Sequence, residues 1–119
     1  MPDTVLKKFM VLFLIPLETM TEWKKTDAQQ REASEKNMMQ EWVKWSDAHS
    51  KMILSTEVGG KTKTVLANAV SDTRNDIVLF SMVQGESHAA VAEEFQSDPH
   101  LQIPNASIQV MEVKQMGPM

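Results

Sequence analysis

The 119-residue chain has three histidines, His49, His88 and His100. Histidine is the side chain whose ordinary pKa lies nearest neutrality. His100 follows Asp98 by two residues in the segment Ser97-Asp98-Pro99-His100-Leu101. A carboxylate beside an imidazole has the residue types for general acid–base work, with Asp98 orienting the ring. The plainer alternative is that Asp98 turns the loop and His100 packs locally. His49 shares a helical stripe with Trp42 and Trp45, which would make an aromatic-lined pocket with a titratable group. Its other reading is an amphipathic ring at the rim of the core, favoured by its place at a helix C-terminus. His88 reads as a histidine satisfied on the inner face of a helix.

Other chemistries find little in the residues. There is no cysteine, so a thiolate catalyst, a thiolate zinc site and an iron–sulfur cluster are excluded. No two histidines have a ligand spacing such as i, i+4, and no metal site is expected. Gly59-Gly60-Lys61-Thr62 has a faint phosphate-loop flavour. It lacks the first glycine at the required spacing and does not lead into a helix, so it reads as a hairpin turn. No cofactor is called for. A net charge of -4 argues against a nucleic-acid binder, which needs a basic face.

The tryptophans are the candidate ligand contacts. Trp42 reads as core. Trp23, in the loop after the first strand, and Trp45, beside His49, are expected to wall a ligand site.

The elements that must position these residues follow from pattern. Lys8 to Ile15 is nearly all apolar and reads as a strand that Pro16 ends. The run is too short to span a bilayer. No Ala-x-Ala cleavage pattern follows it, so it is not read as a signal peptide. Thr19 and Glu22 have capping-box spacing and predict a short helical turn, and Thr26 and Gln29 predict the start of a main helix ending near His49. Met38, Trp42, Trp45 and His49 fall at i, i+4, i+7 and i+11 and face the core, with Met39 and Val43 widening the stripe.

A second strand opens at Met52 to Leu54. An extra strand alternates over Thr62 to Val70, and Ser71 to Asp76 reads as a turn. Ile77 to Val83 is a further apolar strand. A second helix spans about Glu86 to Gln96, its inner face made by His88, Val91, Ala92 and Phe95, and Asp98-Pro99 ends it. Ser107 to Val113 is the last strand. No linker or repeat divides the chain, which reads as one domain over 1–119, with 1–7 and 115–119 as flexible ends.

Without the extra strand this order is βαββαβ, the ferredoxin-like split pattern of an α+β fold, with an antiparallel sheet and both helices on one face. Yet Phe9–Ile15 and Ile77–Val83 are apolar on both faces, whereas a half-exposed strand should alternate. A second copy of the chain, packed sheet to sheet, is the expected cover.

The residues also resemble a known family. Lys8-Phe9-Met10 opens strand one, Trp42-x-x-Trp45 lies late in helix one, Ser97-Asp98-Pro99-His100-Leu101 follows helix two, and Ile108-Gln109-Val110-Met111-Glu112-Val113 closes the chain before a Met-Gly-Pro-Met tail. In this order they resemble the YCII-like proteins of the dimeric α/β-barrel superfamily, over Lys8 to about Met116. The resemblance implies a ferredoxin-like fold, a homodimer and a bacterial cytoplasmic protein. Some such relatives are dehydrochlorinase-type enzymes acting on chlorinated hydroxyquinones, and pair a helix-one histidine with the aspartate of an Asp-Pro motif. Asp98 matches that aspartate. Arg31 to Glu41 contains no histidine, and the Asp-Gly-Pro-Phe motif of a subset is absent.

Two functional classes follow. One is a non-catalytic protein binding a small molecule between sheet and helices. The other is a cofactor-independent lyase, isomerase or monooxygenase acting on a small aromatic or quinone-like compound. Neither implies a membrane or nucleic-acid partner.

Overall fold

Alternation on one apolar strand organises the molecule. In the computed structural model, which describes residues 6–116, β1 (Lys7–Leu14) buries Phe9, Val11 and Phe13 on one face. Met10, Leu12 and Leu14 point to the other face and are only half-buried. Lys7, expected in a flexible end, already pairs with Gly85. The remainder of the two expected flexible ends is coil at Leu6 and at 115–116 and otherwise lies outside the described residues.

The chain continues through α1 (Leu17–Lys24), α2 (Ala28–Ala48), β2 (Ile53–Val58), β3 (Thr62–Leu66), β4 (Ala69–Thr73), β5 (Ile77–Gly85), α3 (His88–Glu94) and β6 (Ser107–Glu112). Two 3-10 turns, Phe95–Ser97 and Pro99–Gln102, join α3 to the last strand. The main sheet has the order β2-β5-β1-β6, antiparallel throughout. This mixed α+β arrangement is compatible with a ferredoxin-like fold.

Helix starts differ from the capping-box expectation. α1 begins at Leu17, directly after Pro16, with no side-chain cap. At α2, Asp27 rather than Thr26 is the cap, its carboxylate accepting the Gln30 N–H at 3.1 Å. The Asp27 carboxylate satisfies an orphan donor of the first turn without a reciprocal Glu or Gln. α3 starts at His88, with the Ser87 hydroxyl accepting the Ala90 N–H at 3.1 Å.

The core lies between the sheet and two of the helices. Phe9, Val11, Phe13 and Val83 from the sheet meet Trp45 of α2 and Val91 and Phe95 from α3 and its extension. Phe13 sits edge-on to Trp42, with centroids 5.3 Å apart, and edge-on to Phe95 at 6.1 Å. Met39 and Val43, expected to widen the α2 stripe, are instead 61% and 50% exposed. The covering face of α2 is therefore the single row Met38, Trp42, Trp45 and His49. Ala92 is exposed, so α3 packs through Val91 and Phe95, while His88 stacks on Phe9 and bonds the Val110 carbonyl at 2.7 Å.

The expected extra strand is two strands. β3 and β4 form their own two-stranded ribbon, turning at Ala67-Asn68, and Ser71 to Thr73 is strand rather than turn. Apart from Thr62 and Thr73, every residue in the two strands is exposed, including Val65, Leu66 and Val70. The protein is accordingly flat, with extents of 56 × 45 × 19 Å. Its radius of gyration is 17.0 Å, against about 13 Å for a compact chain of this size.

Candidate functional site

The sequence places Asp98 and His100 two residues apart, but their side chains do not act on each other. Asp98 lies between the two 3-10 turns and caps the second. Its Oδ1 accepts the backbone N–H of His100 at 2.8 Å, with Pro99 as the first residue of the turn. The His100 ring turns away. Its Nε2–H donates to the Leu14 carbonyl at 3.0 Å, and its ring stands edge-on to Phe13 at 5.3 Å. His100 thus pins the turn to the end of β1. Burial lowers its pKa, against the opposing pull of the Leu14 and Ser107 carbonyls. Asp98 is not the orienting partner of the ring, so the expected relay between them is replaced by a bond to the backbone.

Asp98 is unusual in another way. It is 2% exposed, and its Oδ2 has no hydrogen-bond partner among the described residues. Burial pushes its pKa up to about 6, and the His100 N–H and the charge of His49 only partly offset this. Buried polar atoms without partners are rare in native proteins.

The more open arrangement is at His49, which caps the C-terminus of α2. Its Nδ1–H donates to the Trp45 carbonyl at 2.7 Å, and its ring stacks on the Trp45 indole at 4.0 Å. Its Nε2 lies 3.0 Å from Glu94 Oε2. With the Nδ1 proton committed to Trp45, Nε2 forms an ion pair with Glu94 only when the ring is protonated. The imidazole side chain is 19% exposed and Glu94 56%.

This pair lies on the wall of a cleft of about 590 Å³ between the end of α2, the turn leading to β2, the end of β5 and α3. Lys51, Gln84 and Glu86 supply further polar groups, and Met52 and Val91 apolar ones. Glu94 and Gln84 were not legible as site residues. Glu94 lies 45 residues from His49, and a solvated glutamate at the end of a helix carries no pattern that marks it.

The other expected ligand contacts are placed differently. Trp45 is 8% exposed and its Nε1–H donates to Ser97 Oγ at 2.9 Å. It belongs to the core and backs the cleft through His49 rather than lining it. Trp23 is in α1, not a loop, and its indole N–H meets Glu35 at 3.3 Å. It does not line the His49 cleft, and neither do Asp98 and His100.

The arrangement presents a bonded imidazole–carboxylate pair, His49 Nε2 to Glu94 Oε2, on the cleft wall, where a small polar group meets the exposed carboxylate that His49 holds in place. Among the described residues no group of three histidine, aspartate or glutamate side chains is placed to hold a metal ion. Nor is any of their helices long and apolar enough to cross a membrane. Compared with known protein families and with curated proteins, the chain matches none.

Proposed function

We propose that the protein binds a small organic molecule in the cleft beside His49, without catalysing a reaction on it. The observation that carries this reading is the preorganised His49, fixed by the Trp45 carbonyl, the Trp45 ring and Glu94 at the cleft wall. A polar head on the ligand meets the exposed Glu94 carboxylate that His49 holds in place, and a flat apolar body lies against Met52 and Val91. A site fixed before binding loses little freedom when it is filled.

The test is tryptophan fluorescence titration with small phenols and aromatic carboxylates, starting with 4-hydroxybenzoate. Trp45 stacks on His49, so binding is expected to change its emission saturably, and His49→Ala to abolish the change. A panel that moves neither the emission nor the amide resonances of 47–52 and 90–94 would overturn the reading.

A second reading is a cofactor-independent lyase, isomerase or monooxygenase acting on an aromatic or quinone-like compound. Asp98 favours it, being a carboxylic acid that titrates near pH 6 within the electrostatic reach of His49. Release of product from such a compound by wild type and not by Asp98→Asn would support it.

The same proposal includes a homodimer. Met10 pairs across the sheet with Met82 and Met111, and Leu12 with Phe80. These residues occupy the face opposite the helices, where a second copy would cover them. Membership of the YCII-like proteins and a cytoplasmic location are parts of this proposal that rest on the sequence resemblance.

A further inference from the structure

A second cleft lies away from His49. It has a volume of about 1080 Å³ and is formed by α1, the Gly59–Lys63 segment and the end of β4 with the residues after it. Its chemistry is unlike the rest of the chain. Lys24, Lys61, Lys63 and Arg74 line it against a single carboxylate, Asp72. Four cations and one anion give the lining a charge of +3, in a chain of net charge -4.

Lys63 is occupied, bonding Asp72 Oδ1 across the β3–β4 ribbon at 2.6 Å. Lys24, Lys61 and Arg74 have no carboxylate within ion-pair distance among the described residues. They are exposed on three different segments that converge on one concavity.

The floor that holds them is fixed. Asn75 Oδ1 accepts the Ile77 N–H at 2.9 Å, and its Nδ2–H donates to Thr62 Oγ1 at 3.3 Å. The Gly59 N–H donates to the Val78 carbonyl at 2.9 Å, and a Cβ on Gly59 would press on the Ile77 carbonyl at 3.0 Å. The base of the ribbon is therefore tied to β5 while its cations face the opening. Gly60 leaves one wall bare, since a Cβ there would meet no atom within 4 Å.

We propose that this cleft is a binding site for a small organic phosphate carrying at least two negative charges. Three cations on separate segments converge where one multivalent anion can engage them together. The arginine fork suits phosphate oxygens, which it bonds in pairs, and lysines add point charge. A long polyanion is disfavoured, because the rest of the chain, -4 less the lining's +3, carries a net -7. The volume, about 1080 Å³, is at the upper limit of small-molecule sites, which run to about 1,000 Å³. The inference is independent of the His49 cleft, with which this lining shares no residue.

The test uses the whole protein and inorganic pyrophosphate, followed by amide chemical shifts in 150 mM NaCl. Saturable shifts are expected, confined to residues 24, 59–63 and 72–75. Arg74→Glu and Lys61→Glu are each expected to weaken binding about tenfold or more, with unchanged melting temperatures because both side chains are exposed. His49→Ala is expected to leave pyrophosphate binding intact. Shifts that never saturate, that follow lysines over the whole surface, or that persist unchanged in Arg74→Glu would overturn the proposal.

Discussion

Asp98 holds His100 by its backbone and not by its ring: Oδ1 accepts the His100 N–H at 2.8 Å, and Oδ2 is left buried without a partner. The ring meanwhile spends its Nε2 proton on the Leu14 carbonyl, 86 residues away in sequence. The segment is thus a structural clamp with one unspent oxygen.

That oxygen has a pH signature. The unfolded chain releases the Asp98 proton near pH 3.8 and the folded protein near pH 6. A raised carboxyl pKa favours the folded state at low pH, and this contribution is lost as pH rises through the same window. At about 1.4 kcal/mol per unit, the loss is about 2–3 kcal/mol. His100 runs the other way. Its folded pKa lies below 6.5, so its contribution is present above that value and lost as pH falls through it. Asp98→Asn keeps the acceptor for the His100 N–H and removes the titration. Urea unfolding is expected to show the variant at least as stable as wild type at pH 8, with stability falling on acidification because the His100 slope stands alone. A variant markedly weaker at pH 8 would mean that the ionised carboxylate makes a favourable contact.

His100→Ala should lower stability by about 2–4 kcal/mol, from a lost buried ring, a cavity and an unpaired carbonyl. Thermal or urea unfolding measures it. A change under about 0.5 kcal/mol, the range of surface substitutions, would show that the Leu14 and Phe13 contacts hold nothing together.

Two glycines give an opposed pair. A Cβ on Gly85 would run into Val91 Cγ2, whereas one on Gly60 meets open space. Gly85→Ala is expected to destabilise by about 1–3 kcal/mol through overpacking of α3 on β5. Gly60→Ala should stay within about 0.5 kcal/mol of wild type. Equal effects would contradict the packing described.

The two faces of the sheet can be separated by charge. Phe13 is fully buried under the helices, and Phe80 pairs with Leu12 on the opposite face. Phe13→Asp is expected to prevent folding, since it buries an unpaired charge. Phe80→Asp is expected to yield a folded monomer by light scattering, and wild type a dimer. An unchanged mass for Phe80→Asp would remove that face from the interface.

The legible parts of the molecule were those written in local pattern. β1 and β5 announce themselves by unbroken apolar runs, and the row Met38, Trp42, Trp45, His49 marks the covering face of α2. The β3–β4 ribbon was misread because its side chains alternate without a buried face, and period alone does not show where such a strand turns. Trp45 was legible as a partner of His49 on the core-facing stripe, but its bond to Ser97 was not, because it joins residues 52 apart. The His49–Glu94 pair and the bare Oδ2 of Asp98 depend on how the α3 segment returns over α2. Residue types and spacing do not contain that distance.

The most direct test of small-molecule binding at His49 is native mass spectrometry of the protein as purified, beside His49→Ala and Glu94→Gln. Glu94→Gln is a useful companion because a half-exposed ion pair contributes only about 0–1 kcal/mol to stability. The expected result is a dimer of wild type carrying an extra small-molecule mass that both variants lose while keeping their fold. An extra mass retained equally by all three proteins would place the ligand elsewhere, and bare protein in every case, with no aromatic probe restoring an adduct, would contradict the account.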